Sequence, residues 1–146
     1  MAAREHDIQT GNRVKDEQGQ AEAKKLYRMA AEKGSVEAQM HVALGYALGI
    51  GVEENYKESV KWFRKAADQG DAEALAQLAW RYEDGVGVEK NIVEGYKCAL
   101  LSLSRGNEVA HVDVKRFEKR LSPEERAEGQ NAATKWQREF EKTSMP

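Results

Sequence analysis

The chain has 146 residues, 40% of them hydrophobic and 33% charged, with a formal net charge of −2. That is enough apolar material for one domain, and the balance lacks the basic surplus or stripe that marks a nucleic-acid binder. No apolar run approaches the roughly 18 residues of a membrane span, and Cys98, the single cysteine, excludes an intrachain disulfide.

Residues 1–15 are polar and weakly periodic, interrupted by Gly11 and Asn12. They read as a frayed arm or a degenerate half-repeat. Met1-Ala2-Ala3-Arg4-Glu5-His6-Asp7 has no apolar signal core. A cytoplasmic location is then the simpler reading, and a periplasmic or secreted one holds if a signal was removed. From residue 16 to 142 the pattern is that of one domain. Its first part, 16–34, carries a helix over Ala21–Lys33 by propensity.

The next two stretches, 35–70 and 71–106, say nearly the same thing. Gly34, Gly70 and Gly106 lie 36 residues apart. Between them Ala38 returns as Ala74, Tyr46 as Tyr82, Gly49 as Gly85, Gly51 as Gly87, Val52 as Val88 and Asn55 as Asn91. A fixed period in this range means stacked two-helix units. The first unit predicts helix A over Val36–Leu48, capped by Ser35, with Ala38, Val42, Leu44 or Gly45, and Tyr46 buried. A tight Gly49-Ile50-Gly51-Val52 loop follows. Helix B covers Tyr56–Gln69, with Val60, Phe63 and Ala67 on one face and Trp62 and Ala66 beside them.

The second unit predicts helices over Ala72–Glu83 and Ile92–Arg105. It departs at Cys98 and Ala99, which replace Trp62 and Phe63, and at Leu100 and Leu101, which replace the exposed Arg64 and Lys65. Two leucines there need cover, worth about 1.5–3 kcal/mol each if fully buried. Residues 107–142 hold a degenerate repeat and a cap. A helix over Glu108–Arg120 presents Ala110, Val114, Phe117 and Leu121. Ser122-Pro123-Glu124-Glu125 is a capping box, and it opens a last helix over Pro123–Glu141 with Gly129, Ala133, Trp136 and Phe140 in line. That helix closes the stack, as terminal repeats must. A monomer is expected, with a homodimer through Leu100 and Leu101 as the other outcome.

Ala38-x7-Tyr46-x2-Gly49-x-Gly51-Val52 and Trp62-Phe63-x2-Ala66-Ala67-x2-Gly70 resemble the Sel-one-like repeat, a relative of the tetratricopeptide repeat. Leu121-Ser122-Pro123-Glu124 with Ala127, Gln130 and Trp136 is similar to the closing helix of short bacterial members. The resemblance covers about residues 16–141. It implies an all-α fold, a right-handed α-solenoid of about seven antiparallel helices or fewer, whose A helices line a concave face. It also implies a non-enzymatic adaptor that binds a protein or peptide partner.

Carried onto this sequence, the concave positions are Glu37, Met40, Leu44, Ala47 and Leu48, then Glu73, Ala76, Trp80, Glu83 and Asp84. Trp80 has two readings: a binding anchor, since tryptophan is enriched at hot spots, or a side chain packed sideways on Leu44 or the next helix. Met40 and Leu44 are either an adaptable apolar patch or core. Glu83 and Asp84 either favour a basic partner or are simply solvated.

Chemistry finds little footing. Gly49-x-Gly51 and Gly85-x-Gly87 lack the third glycine and the preceding strand of a phosphate loop. His6, His41 and His111 fall in separate elements without a second ligand at metal spacing. Cys98 sits on the inner side of a helix B. No cofactor or metal is expected. An inhibitor or immunity-type protein blocking a toxin or enzyme is the alternative function. A small hydrolase of the penicillin-binding type, which the resemblance also brings in through cysteine-rich members, is the less favoured alternative, because this chain lacks both their paired cysteines and any Ser-x-x-Lys.

Overall fold

The computed structural model describes residues 18, 19 and 21–144. The arm at 1–15, with His6, lies outside them. Among the described residues there are helices and no strand. They are α1 (residues 21–32), α2 (Val36–Leu48), α3 (Tyr56–Asp68), α4 (Ala72–Asp84), α5 (Ile92–Ser104), α6 (Ala110–Arg120) and α7 (Pro123–Ser144). The chain is an all-α solenoid in which α2 pairs with α3 and α4 with α5, and α3 joins the two pairs by packing on α4.

Capping chemistry sets the helix starts and repeats with the sequence. Ser35 accepts from the Ala38 amide and Asp71 from the Ala74 amide, at 3.2 and 2.8 Å. Asn55 and Asn91 do the same for Glu58 and Glu94, both at 3.1 Å. Each satisfies an amide that the first turn leaves without a partner. The A helices end at Gly49 and Gly85, left-handed with φ 67° and 71°, a conformation glycine adopts without penalty. The loops then fold back, and the amides of Asn55 and Asn91 donate to the carbonyls of Tyr46 and Tyr82 at 2.9 Å. Gly87 has a second reason to be glycine: a Cβ there would lie 2.3 Å from the Tyr56 carbonyl oxygen.

Successive units are also stitched by side chains at one register. Gln69 Nε2 donates to the Gly34 carbonyl at 3.0 Å, and Arg105 Nε to the Gly70 carbonyl at 2.7 Å. The core between units holds Val60, Phe63, Leu75, Leu78 and Tyr96.

Two expectations need correction. In α2 the buried residues are Ala38, Gln39 and Ala43, while Val42, Leu44, Gly45 and Tyr46 are half-buried. Gln39 is buried despite its polarity because its amide donates to the Ala31 carbonyl and its oxygen accepts from Gln69. The sixth helix starts at Ala110 instead of Glu108, since Val109 supplies no side-chain cap.

The C-terminal end is closed. Ser122 and Glu125 form the reciprocal capping box, at 2.9 and 3.1 Å. Helix α7 packs along α5. Its Gly129 lies so close to Tyr96 that a Cβ would meet the ring at 2.5 Å. Trp136 and Phe140 stack at 4.9 Å, and Phe140 lies under the Arg105 guanidinium at 4.4 Å. Leu101 is 2% exposed and Leu100 half-buried, so the C-terminal helices lie where the leucines needed cover.

Candidate functional site

Helical spacing puts Glu37, Met40, Leu44 and Leu48 on one stripe of α2, and Glu73, Ala76, Trp80 and Asp84 on the matching stripe of α4. Glu37, Glu73 and Asp84 are exposed, and Met40, Leu44, Ala47 and Ala76 half-buried. Leu48 is 63% exposed and Trp80 37%. The Trp80 indole N–H donates to Gln77 Oε1 at 3.1 Å, and the ring lies over the Arg81 guanidinium at 4.4 Å.

Glu83 is not a solvated member of this stripe. Its carboxylate is buried and accepts from Arg116 Nη2 at 2.7 Å, Arg116 Nε at 3.1 Å and Arg120 Nη1 at 2.8 Å. The bidentate Arg116 contact holds the carboxyl below its ordinary range. Glu83 therefore docks α6 onto α4, and only Asp84 of the acidic pair faces solvent.

Two features go beyond the positions named from sequence, the second of them sharing Leu44 with the α2 stripe. The first is Arg81, which is 3% exposed and stacked on Phe63 at 4.9 Å as well as on Trp80. Its Nε and Nη1 have no hydrogen-bond partner among the described residues, and burial lowers its pKa. The second is a groove of about 290 Å³ between α1, α2 and the loop after α2. Tyr27, Val42, Leu44, Tyr46, Ile50 and Val52 supply its apolar surface, and Lys24, Arg28 and His41 its basic groups. His41 stacks on Tyr27 at 4.2 Å, and Arg28 Nη1 donates to the Tyr46 hydroxyl at 2.9 Å. The signal for both features was a single position out of step, Gly45 against Arg81.

Elsewhere the side chains are occupied structurally. Cys98 is 4% exposed, and burial pushes its thiol up to about 12, the opposite of an activated nucleophile. Trp62 is buried in the core, and His111 Nδ1 lies 2.7 Å from the Glu108 carbonyl within its own turn. Among the described residues no group of three His, Cys, Asp or Glu is placed to hold a metal, and no helix is long and apolar enough to cross a membrane.

Comparison with known proteins gives the following. A family model described as Sel1 repeat matches residues 15–35, 36–71 and 72–107. No curated protein matches the chain. A solved structure of a protective antigen present in uropathogenic Escherichia coli strains, with an SLR fold, is similar at 25% identity and a TM-score of 0.77. That match covers 81% of this chain and 26% of the antigen. A Sel1 repeat protein from Oxalobacter formigenes is similar at 35% identity and a TM-score of 0.63, over 65% of this chain and 38% of that one. The chain thus spans well under half the length of either neighbour.

Proposed function

The chain belongs to the Sel1 repeat family, whose members generally mediate protein–protein interaction, and from that premise we propose that it is a non-catalytic scaffold holding a peptide or protein segment along its A helices. The observation that carries this reading is Trp80. A soluble helix with a core to fill usually hides its tryptophan, yet this one is 37% exposed. It stands on the same stripe as Ala76 and Asp84, in register with Met40, Leu44 and the exposed Leu48. A large ring with a polar edge in such a row is the composition of an interaction hot spot.

The support from chemistry is of the same kind. A two-helix unit cannot bury both faces, so a stack leaves a continuous surface that binds by shape and side-chain anchors. Among the described residues the Cys98 thiol is buried and no His, Cys, Asp or Glu group is placed to hold a metal.

The test is direct binding. A partner recovered by cross-linking from the native extract is titrated against the wild-type chain and against Trp80→Ala and Met40→Ala. Each variant is expected to weaken binding at least about tenfold, the loss typical of a hot-spot truncation, while the melting temperature stays within a few degrees. Unchanged affinity in both variants would overturn the reading.

A further inference from the structure

Between α1 and α2 the solenoid has a groove that its own second repeat does not. One period on, the place of Gly45 is taken by Arg81, whose guanidinium packs on Phe63, the counterpart of Tyr27. Phe63, under Arg81 and on a helix packed between α2 and α4, is fully buried, whereas Tyr27, opposite Gly45, is 39% exposed. The groove at α1–α2 is thus the same inter-repeat seat with its filling side chain reduced to a hydrogen. At about 290 Å³ it lies at the low end of ligand sites, and it has room for one large side chain. Ile50, at its rim, is 60% exposed.

Charge selects what fits. Lys24 and Arg28 line the groove and no carboxylate does, while Arg28 also reaches the exposed Glu32 carboxylate beside the groove at 3.5 Å. We infer that the α1–α2 groove is a docking site for an acidic segment of a partner protein, which inserts one large apolar side chain between Tyr27 and Tyr46 and sets its carboxylates against Lys24 and Arg28. A basic partner would bring like charge to the lining, and a neutral one would leave the complementarity unused. Residues 1–17 of the chain itself are a poor match. Their large apolar side chains are Met1, Ile8 and Val14, and Arg4, Arg13 and Lys15 nearly balance Glu5, Asp7, Asp16 and Glu17. The site shares Leu44 with the A-helix stripe but does not include Trp80, so the Trp80 variant tells the two readings apart.

Gly45 makes the test clean. A Cβ there meets nothing nearer than the Ile50 carbonyl oxygen, at 3.6 Å, and leucine is a better helix former than glycine. Gly45→Leu is therefore expected to fold and to fill the groove. A phage-displayed library of random 12-residue peptides is panned on the full chain, with Gly45→Leu protein as counter-selection. Acidic sequences with one aromatic or leucine should be enriched. By fluorescence anisotropy the selected peptide should bind at least about tenfold more weakly to Gly45→Leu and to Lys24→Glu, and more weakly as salt screens the charges. It should bind Trp80→Ala as it binds wild type. Lys24→Glu keeps the test decisive if Gly45→Leu does not fold. Enrichment of basic or neutral peptides, or no peptide that senses Gly45 or Lys24, would overturn the proposal. So would self-association of the wild-type chain that Gly45→Leu abolishes, because a second copy would then be the occupant.

Discussion

At Arg81 a cation is buried against two rings while two of its nitrogens lack partners among the described residues. Each orphaned donor costs about 1–3 kcal/mol, against about 0.5–2 kcal/mol from each cation–π contact. Methionine keeps most of the packing and none of the desolvated charge. Arg81→Met is therefore expected to stabilise the fold by about 1–2 kcal/mol, read as a higher melting temperature. Glu83, two residues on, is the opposite case, with its charge fully met by Arg116 and Arg120. A carboxylate whose pKa is lowered in the folded state contributes its stability above the unfolded pKa of about 4.3 and loses it as pH falls through the folded value. Glu83→Gln should cost about 1–3 kcal/mol at pH 7. The gap between variant and wild type in urea melts should close as the pH is taken well below about 4.

Sequence alone did not separate these two residues. An arginine or a glutamate near the end of an amphipathic helix carries the same local signature whether it is solvated or buried. The partners that bury them are distant: Phe63 sits on the previous helix, and Arg116 and Arg120 lie on α6, where the 36-residue period has already broken down. The repeat does show Gly45 and Arg81 to be unlike, which is a sign of difference without its direction.

At the scale of the elements the sequence was much more legible, because helix starts depend on capping chemistry within four residues. Ser35, Asp71 and the Ser122–Glu125 box cap where their types and spacing say they should. Val109 has no such chemistry, and there the expected start was two residues early. The closing helix depends on a contact that no local rule contains. Gly129 is helical and would gain from alanine by propensity alone, by about 1 kcal/mol. The Tyr96 ring stands 2.5 Å from where that methyl would go. Tyr96 cannot easily turn aside, because it is fully buried and its hydroxyl donates to Glu118 and accepts from Gln130. Overpacking of this kind costs about 1–3 kcal/mol. Gly129→Ala is expected to lower the melting temperature despite better helix propensity, and Gly129→Ser to lower it at least as far.

Among the described helices, the main contacts run between sequence neighbours from α2 to α6 and, at the C-terminus, from α7 back past α6 to α5. Stability in such a stack is close to a sum of units and of interfaces between neighbours. Its two ends differ. Leu26, Tyr27 and Met29 of α1 are exposed, whereas α7 reaches back past α6 to α5 and lays Phe140 against Gly70. Amide hydrogen exchange should therefore be graded, fastest in α1, intermediate in α2 and α3, and slowest in α4 and α5. Equal protection across all five helices would contradict this.

The stitches from Gln69 to Gly34 and from Arg105 to Gly70 give the stack a direction. Each is a side chain reaching back to the glycine that closed the previous unit, so every unit offers an acceptor forward and spends a donor backward. Beyond α5 the next acceptor, the Gly106 carbonyl, is followed by α6 and a terminator helix in place of another pair. The array is thus a one-way tiling whose α5 face is occupied by α6 and α7. Extra copies of residues 35–70 could be spliced in at Gly34 in phase, because each copy brings both a donor at its last turn and a closing glycine whose carbonyl accepts.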